Sequence, residues 1–329
     1  MIGPADEYFC HQIVAPATQV ASADRNWQDR FYFNFNDPAK ELSGILAMGF
    51  FPNLNLFQGI LNLAAGDKLI CKNYFRPIHN DRLRVWAGSL QVEVKEPMRR
   101  WNLKLNEPGL NVALDLAFAG RGEPFEFGVI SWEREGVKVW DQCHYTQAGE
   151  FSGTLQVGDR SWHRLKGVRD RSWGIRNLAQ LDFWIWISAN FENFWLTAWL
   201  GETRAGQLIT IDGAVCGDDG SRDEIKSLSY EIGFRPGMRT PASSSYLITT
   251  ASGRKFRLSA RALHTIYVSI HNGIYDLADP KVLSERDRTT QIFDQTQEFD
   301  LEGSAGIGMI EFFVMGGCPN YPQSWRGMR

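Results

Sequence analysis

Residues 183–188 read FWIWIS, and residues 194–200 read FWLTAWL. In an extended chain successive side chains point to opposite faces. Trp184 and Trp186 therefore share one face, and Phe183, Ile185 and Ile187 share the other. Neither face is polar, and the second run is equally apolar on both sides. A strand of this kind must be covered twice. In a barrel one face lines the interior, while the other packs on a second barrel or on another subunit.

Strand signals continue outward in both directions. RFYFNFN (30–36), KLICKNYF (68–75), RVWAGSLQVEV (84–94) and NVALDLAFAG (111–120) are rich in aromatic and β-branched residues. Turn chemistry separates them, as in NEPG (106–109) and GRGEP (120–124). QLITIDG (207–213), SLSYEIGF (227–234), KFRLSARAL (255–263) and GMIEFFVM (308–315) repeat the style. Helical periodicity is scarce, and residues 276–298 are expected to form a loop or short helix. The chain has 329 residues, about twice a typical domain. The expectation is an all-β protein of two antiparallel barrel domains packed together, at residues 1–158 and 159–329.

Composition narrows the function. The net charge of -3 is dispersed along the chain and offers no basic face for nucleic acid. Five widely spaced cysteines without a CxxC suit free thiols in a reducing compartment. No basic and apolar leader opens the sequence, and no apolar run approaches the roughly 18 residues that span a bilayer. A cytoplasmic protein is expected, with a possible homodimer. The 12 Trp and 21 Phe exceed what packing alone commonly demands and suit a hydrophobic small-molecule ligand. No GxxxxGK[ST], GxSxG or HExxH occurs, and the six histidines are scattered, so neither a cofactor nor a metal is expected.

Between the two halves lies KGVRDRSWGIR (166–176). Extended, it places Asp170, Ser172 and Arg176 on one parity and Arg169, Arg171 and Trp173 on the other. Read from these residues alone, it is equally an inter-domain linker whose charges pair and whose Trp plugs a seam. GVRDRSWGIR also resembles the R-D-H-S-W-G-x-R signature of two-domain lipocalin-like (calycin) proteins of unknown function. More distantly it is similar to the D-H-x-W-G segment of the carotenoid 1,2-hydratase superfamily, which includes kievitone hydratase-like proteins and fungal decalin-forming cyclases. FYFNFNDPAKELSGILAMGFFPN (31–53), YTQAGEFSGTLQVGDRSWHRLKG (145–167) and GIGMIEF (306–312) extend the resemblance over most of the chain. The signature's histidine is replaced by Arg171, so a mechanism needing a neutral imidazole at that position is unavailable.

The resemblance implies two lipocalin-like barrels with the central stretch as their hinge, supplying polar groups to an apolar cavity. It also implies cofactor-independent lyase or hydratase chemistry on a terpenoid, steroid or lignin-type aromatic. A non-catalytic carrier of a hydrophobic ligand is the alternative. A buried carboxyl can protonate an alkene or take the proton back, and Trp faces stabilise a cationic intermediate. On that basis Asp170 is the candidate acid/base and Glu311, in an apolar strand, a second carboxyl. Arg171 and Arg176 are candidate anion clamps, and Trp173, Trp184 and Trp186 candidate cavity walls. His264, Tyr267, His271 and Tyr275 form a polar-aromatic cluster of the right chemical class. Asn34 and Asn36 share a face of the first strand and are expected to point into the first barrel.

Overall fold

The computed structural model describes residues 2–9, 20–78 and 84–321. The first sheet begins with β1 (Trp27–Asn36), β2 (Leu42–Phe51), β3 (Leu56–Ala65), β4 (Lys68–Arg76), β5 (Val85–Ala87) and β6 (Leu90–Glu96). It continues through β7 (Arg100–Glu107), β8 (Val112–Gly120), β9 (Phe125–Glu126), β10 (Ile130–Arg134), β11 (Val137–Val157) and β12 (Arg160–Arg176). Next come β13 (Phe183–Asn190), β14 (Phe194–Glu202), β15 (Leu208–Gly217), β16 (Arg222–Phe234), β17 (Pro241–Thr250) and β18 (Lys255–Tyr267). The last elements are β19 (Gly273–Asp276), α1 (Pro280–Thr289), β20 (Ile292–Leu301) and β21 (Ser304–Phe313).

The protein is nearly all β, as its strand signals predict. Strands β13 to β18 with β20 and β21 close an eight-stranded barrel, while β1 to β12 with β19 form a 13-stranded sheet. Every pairing is antiparallel. The large sheet is not closed by hydrogen bonds. It curls until its last strand covers β3, where a Cβ on Gly59 would lie 3.0 Å from Ala87 Cβ.

Alternation decides what each face does. Phe31, Phe33 and Phe35 of β1 point into the curl with Phe118 and Phe151. The Phe118–Phe151 centroids are 4.9 Å apart. Phe183, Ile185 and Ile187 point into the barrel, and Trp184 and Trp186 point out of it. Their outward face meets the large sheet in a seam containing Trp140, Trp184, Trp186, Trp195 and Trp199. Each buried Trp removes roughly 150–250 Å² from water. At about 25 cal/mol per Å² that is several kcal/mol apiece.

Three expectations change. The central stretch is not a hinge but the second half of β12, paired on both sides, with Asp170 opposite Tyr32 and Thr146. The boundary expected at 158/159 falls in the β11–β12 turn, and hydrogen bonding keeps the chain in the large sheet through Arg176. Within 276–298 the helix occupies only 280–289, and the chain becomes strand again at Ile292. The sequence there, IFDQTQEFD, hides a strand because its buried side chains, Asp294 to Gln297, are polar.

β12 bends at Gly174, whose φ is +125°. A Cβ there would sit 2.1 Å from the Asp141 carbonyl oxygen, so the close approach of β11 requires glycine.

Candidate functional site

The seam is not packed throughout. Where β1, β11 and β12 face β13, β14 and β21, an inner chamber of about 80 Å³ remains. The sheet supplies Arg30, Tyr32, His144, Asp170, Ser172 and Arg176, and the barrel supplies Trp184, Trp186, Trp199 and Glu311. The chamber gives onto an outer pocket of about 970 Å³. Arg30, Ile60, Arg176, Leu178, Val268 and Ile292 line both and form the throat between them.

Asp170 meets an imidazole here. The ladder puts His144 opposite Ser172, two residues along from Asp170 and so on the same face. His144 Nε2 donates to the Asp170 carboxylate, and the pair is buried. Phe127 stacks on the ring at 4.4 Å and Trp199 meets it edge-on at 4.2 Å. Burial lowers the His144 pKa, and the Asp170 charge works against that shift. Nδ1 has no hydrogen-bond partner among the described residues.

The barrel brings a second carboxyl, Glu311, to the chamber, with another behind it. Asp294 and Glu311 are direct partners in the β20–β21 ladder. Burial raises the Asp294 pKa well above the ordinary range, and the Glu311 charge raises it further. Tyr32 Oη donates a hydrogen bond to Asp294 Oδ2. Burial also raises Glu311, against a 2.7 Å hydrogen bond from Trp184 Nε1 and the charge of Arg176. Burial favours the protonated form in both carboxyls. The seam thus holds carboxyls in two different environments beside three indole rings.

Asp170, Arg176, Glu311, Trp184 and Trp186 come together at the chamber. His271 and Tyr275 line only the outer pocket. The remaining candidates lie elsewhere, for reasons of parity. Arg171 points into the core of the large sheet, where it pairs with Asp29 and donates to the carbonyls of Asp6, Arg30 and Tyr8. Trp173 shares that parity and packs edge-on to Tyr145. Asn34 and Asn36 do not point into the curl, because the phenylalanines between them do. They lie buried on the β1 face that carries Arg30 and Tyr32 and are not in the chamber lining. His264 bonds the Lys40 carbonyl at 2.8 Å, and Tyr267 lies within the barrel against Thr240.

Sequence reasoning missed His144, Arg30, Tyr32, Asp294 and Trp199. Arg30 and Tyr32 share the parity of Asn34 and Asn36 in RFYFNFN, so a signal for them was present. Among the described residues no three His, Cys, Asp or Glu side chains converge as metal ligands, and no helix is long and apolar enough to cross a membrane.

Comparison with solved structures places this fold among known ones. A candidate AttH from Nitrosomonas europaea superimposes with a TM-score of 0.66 at 14% identity, covering 89% of this chain and 94% of that one. Kievitone hydratase from Nectria haematococca superimposes at 0.53 and 12% identity, covering 97% and 95%. CghA crystallised with Sch210972 superimposes at 0.58 and 10% identity, covering 92% and 94%. At such identities the likeness is one of fold. No characterised protein matches by sequence. The family model for a domain of unknown function, DUF7064, matches residues 16–312, and the chain belongs to that family.

Proposed function

We propose that the protein is a cofactor-independent hydratase or lyase acting on a hydrophobic small molecule, with the terpenoid, steroid and lignin-type aromatic classes as candidates. The observation that carries this is one aromatic-walled chamber lined by Glu311, whose pKa burial raises beside its ladder partner Asp294, and by the hydrogen-bonded Asp170–His144 pair. In the hydration direction Glu311 gives its proton to one alkene carbon, and the C=C π electrons form the new C–H bond. The cation left on the other carbon lies under Trp184, Trp186 and Trp199. Water adds its oxygen there and releases a proton to the Asp170–His144 pair. Once that proton returns to Glu311 through solvent, the sum is addition of one water, and elimination is the reverse. The fold-level likeness to a structure named as a hydratase supports the same reading.

The test begins with native mass spectrometry to identify the class of any co-purified ligand. Alkenes of that class are then incubated with the protein in ¹⁸O-water. The expected result is incorporation of one ¹⁸O by the wild type and none by Glu311→Gln. Tight binding without incorporation or elimination would overturn the reading in favour of a non-catalytic carrier.

A further inference from the structure

Two arginines stand at the throat of the chamber without an acid of their own. In the same strand pair every inward-facing arginine is matched. Arg169 pairs with Glu7 at 2.7 Å and Arg171 with Asp29. Arg30 and Arg176 form no ion pair within 4.0 Å among the described residues, although both line the chamber and the outer pocket. A guanidinium carries five N–H donors. Arg30 spends one on a long 3.4 Å bond to Gln28, and Arg176 one on Ser172 Oγ at 2.9 Å. Arg176 Nε is buried with no hydrogen-bond partner among the described residues.

The two guanidiniums also converge. Ser172 is the direct ladder partner of Arg30, and Arg176 reaches back four residues to that same serine. Desolvation next to a like charge is costly, and it draws Arg176 down to about 10. Asp170 and Glu311 offset this only in part, since one is engaged by His144 and the other by Trp184. Half-buried fork-shaped donors without a carboxylate are the arrangement that receives a planar oxyanion from outside.

We propose that the substrate carries a planar anionic oxygen group, a carboxylate or vinylogous enolate, which is clamped by Arg30 and Arg176 at the throat. The apolar body then lies in the outer pocket along Phe51, Leu54 and Ile270, and the short reactive end enters the chamber. This deepens the proposed function and rests on that reading of the chamber. Its test reads binding alone.

The probes are cis-parinaric acid and its methyl ester, matched in apolar body and differing in charge, titrated by fluorescence at pH 8. The wild type is expected to bind the acid at least about tenfold tighter than the ester, as suits charge-assisted hydrogen bonds in a partly buried site. Arg30→Gln and Arg176→Gln should each cut that preference to less than about threefold while leaving ester affinity unchanged. Arg261→Gln, on the barrel surface, should change nothing. Equal binding of acid and ester by the wild type would overturn the proposal, and so would binding of neither. Because the wild-type comparison needs no variant, a misfolded mutant leaves the test intact. Acid preference in a protein that turns nothing over would sustain the clamp and sink the hydratase reading. Turnover of neutral alkenes without acid preference would do the opposite.

Discussion

His144 and Asp170 meet diagonally across the β11–β12 ladder, although the Cα partner of His144 is Ser172 and that of Asp170 is Thr146. The diagonal is short enough for a long side chain to bridge, and both groups face the seam. Burial lowers the His144 pKa, and the neighbouring Asp170 charge opposes that shift.

Asp170→Asn keeps an oxygen that accepts from His144 but removes the charge. Turnover is expected to fall by about 10²-fold or more, the usual cost of losing a general acid or base. The melting temperature is expected to change little. A fall of several degrees with normal activity per folded molecule would show that the pair is structural.

Arg171 offers the contrasting case. Arg171→Met leaves Asp29 buried without its cation, which costs about 3–5 kcal/mol. The melting temperature should drop by several degrees, read by calorimetry. Turnover per folded molecule should stay within about twofold of wild type, because Arg171 is not in the chamber lining and meets it only through the Arg30 backbone carbonyl.

These two neighbours show what could be read in the sequence and what could not. Strict alternation separated Asp170 from Arg171, and it separated the indoles of FWIWIS from its aliphatic residues. That much follows from the pleat of one strand. Which face meets the cavity does not, because it depends on the partner sheet. Asn34 and Asn36 were therefore assigned to the wrong side of β1. His144 was hidden for a related reason: its link to Asp170 exists only once the register of β11 and β12 is fixed. Asp294 was hidden because a strand filled with buried polar side chains carries no hydrophobic period.

The carboxyl pair predicts a dependence of stability on pH. Asp294 and Glu311 are both raised in the folded chain, so the folded state keeps protons that the unfolded chain releases. The stability they contribute is complete below the ordinary carboxyl range, about 4, and is lost as pH rises through their folded values. Asp294→Asn cannot ionise. Its melting temperature relative to wild type should be higher at pH 8 than at pH 4, and a difference that does not change with pH would contradict the raised Asp294 pKa.

Trp184 tunes the acid. Its indole N–H bonds Glu311 Oε1 and stabilises the charged form. Trp184→Phe removes that donor and keeps an aromatic wall. The Glu311 titration, followed by carbon NMR of the carboxyl, should move to higher pH, and the upper limb of the rate profile should move with it. Arg176→Gln should move it in the same direction, since that charge also favours the ionised form.

β12 serves two masters. One face inserts Arg169 and Arg171 into the core of the large sheet, and the other presents Asp170, Ser172 and Arg176 to the chamber. Adding or removing a single residue between Lys166 and Gly174 would exchange the two sets. It would drive Asp170 into the hydrocarbon and push two guanidiniums into the seam. A length change here is therefore damaging twice, to folding and to chemistry. Point substitutions on either face can drift separately. Within the family, such a strand should vary in letters but not in count, with insertions collecting instead at the irregular stretch of β11 between Ser152 and Leu155, where the ladder already absorbs a shift.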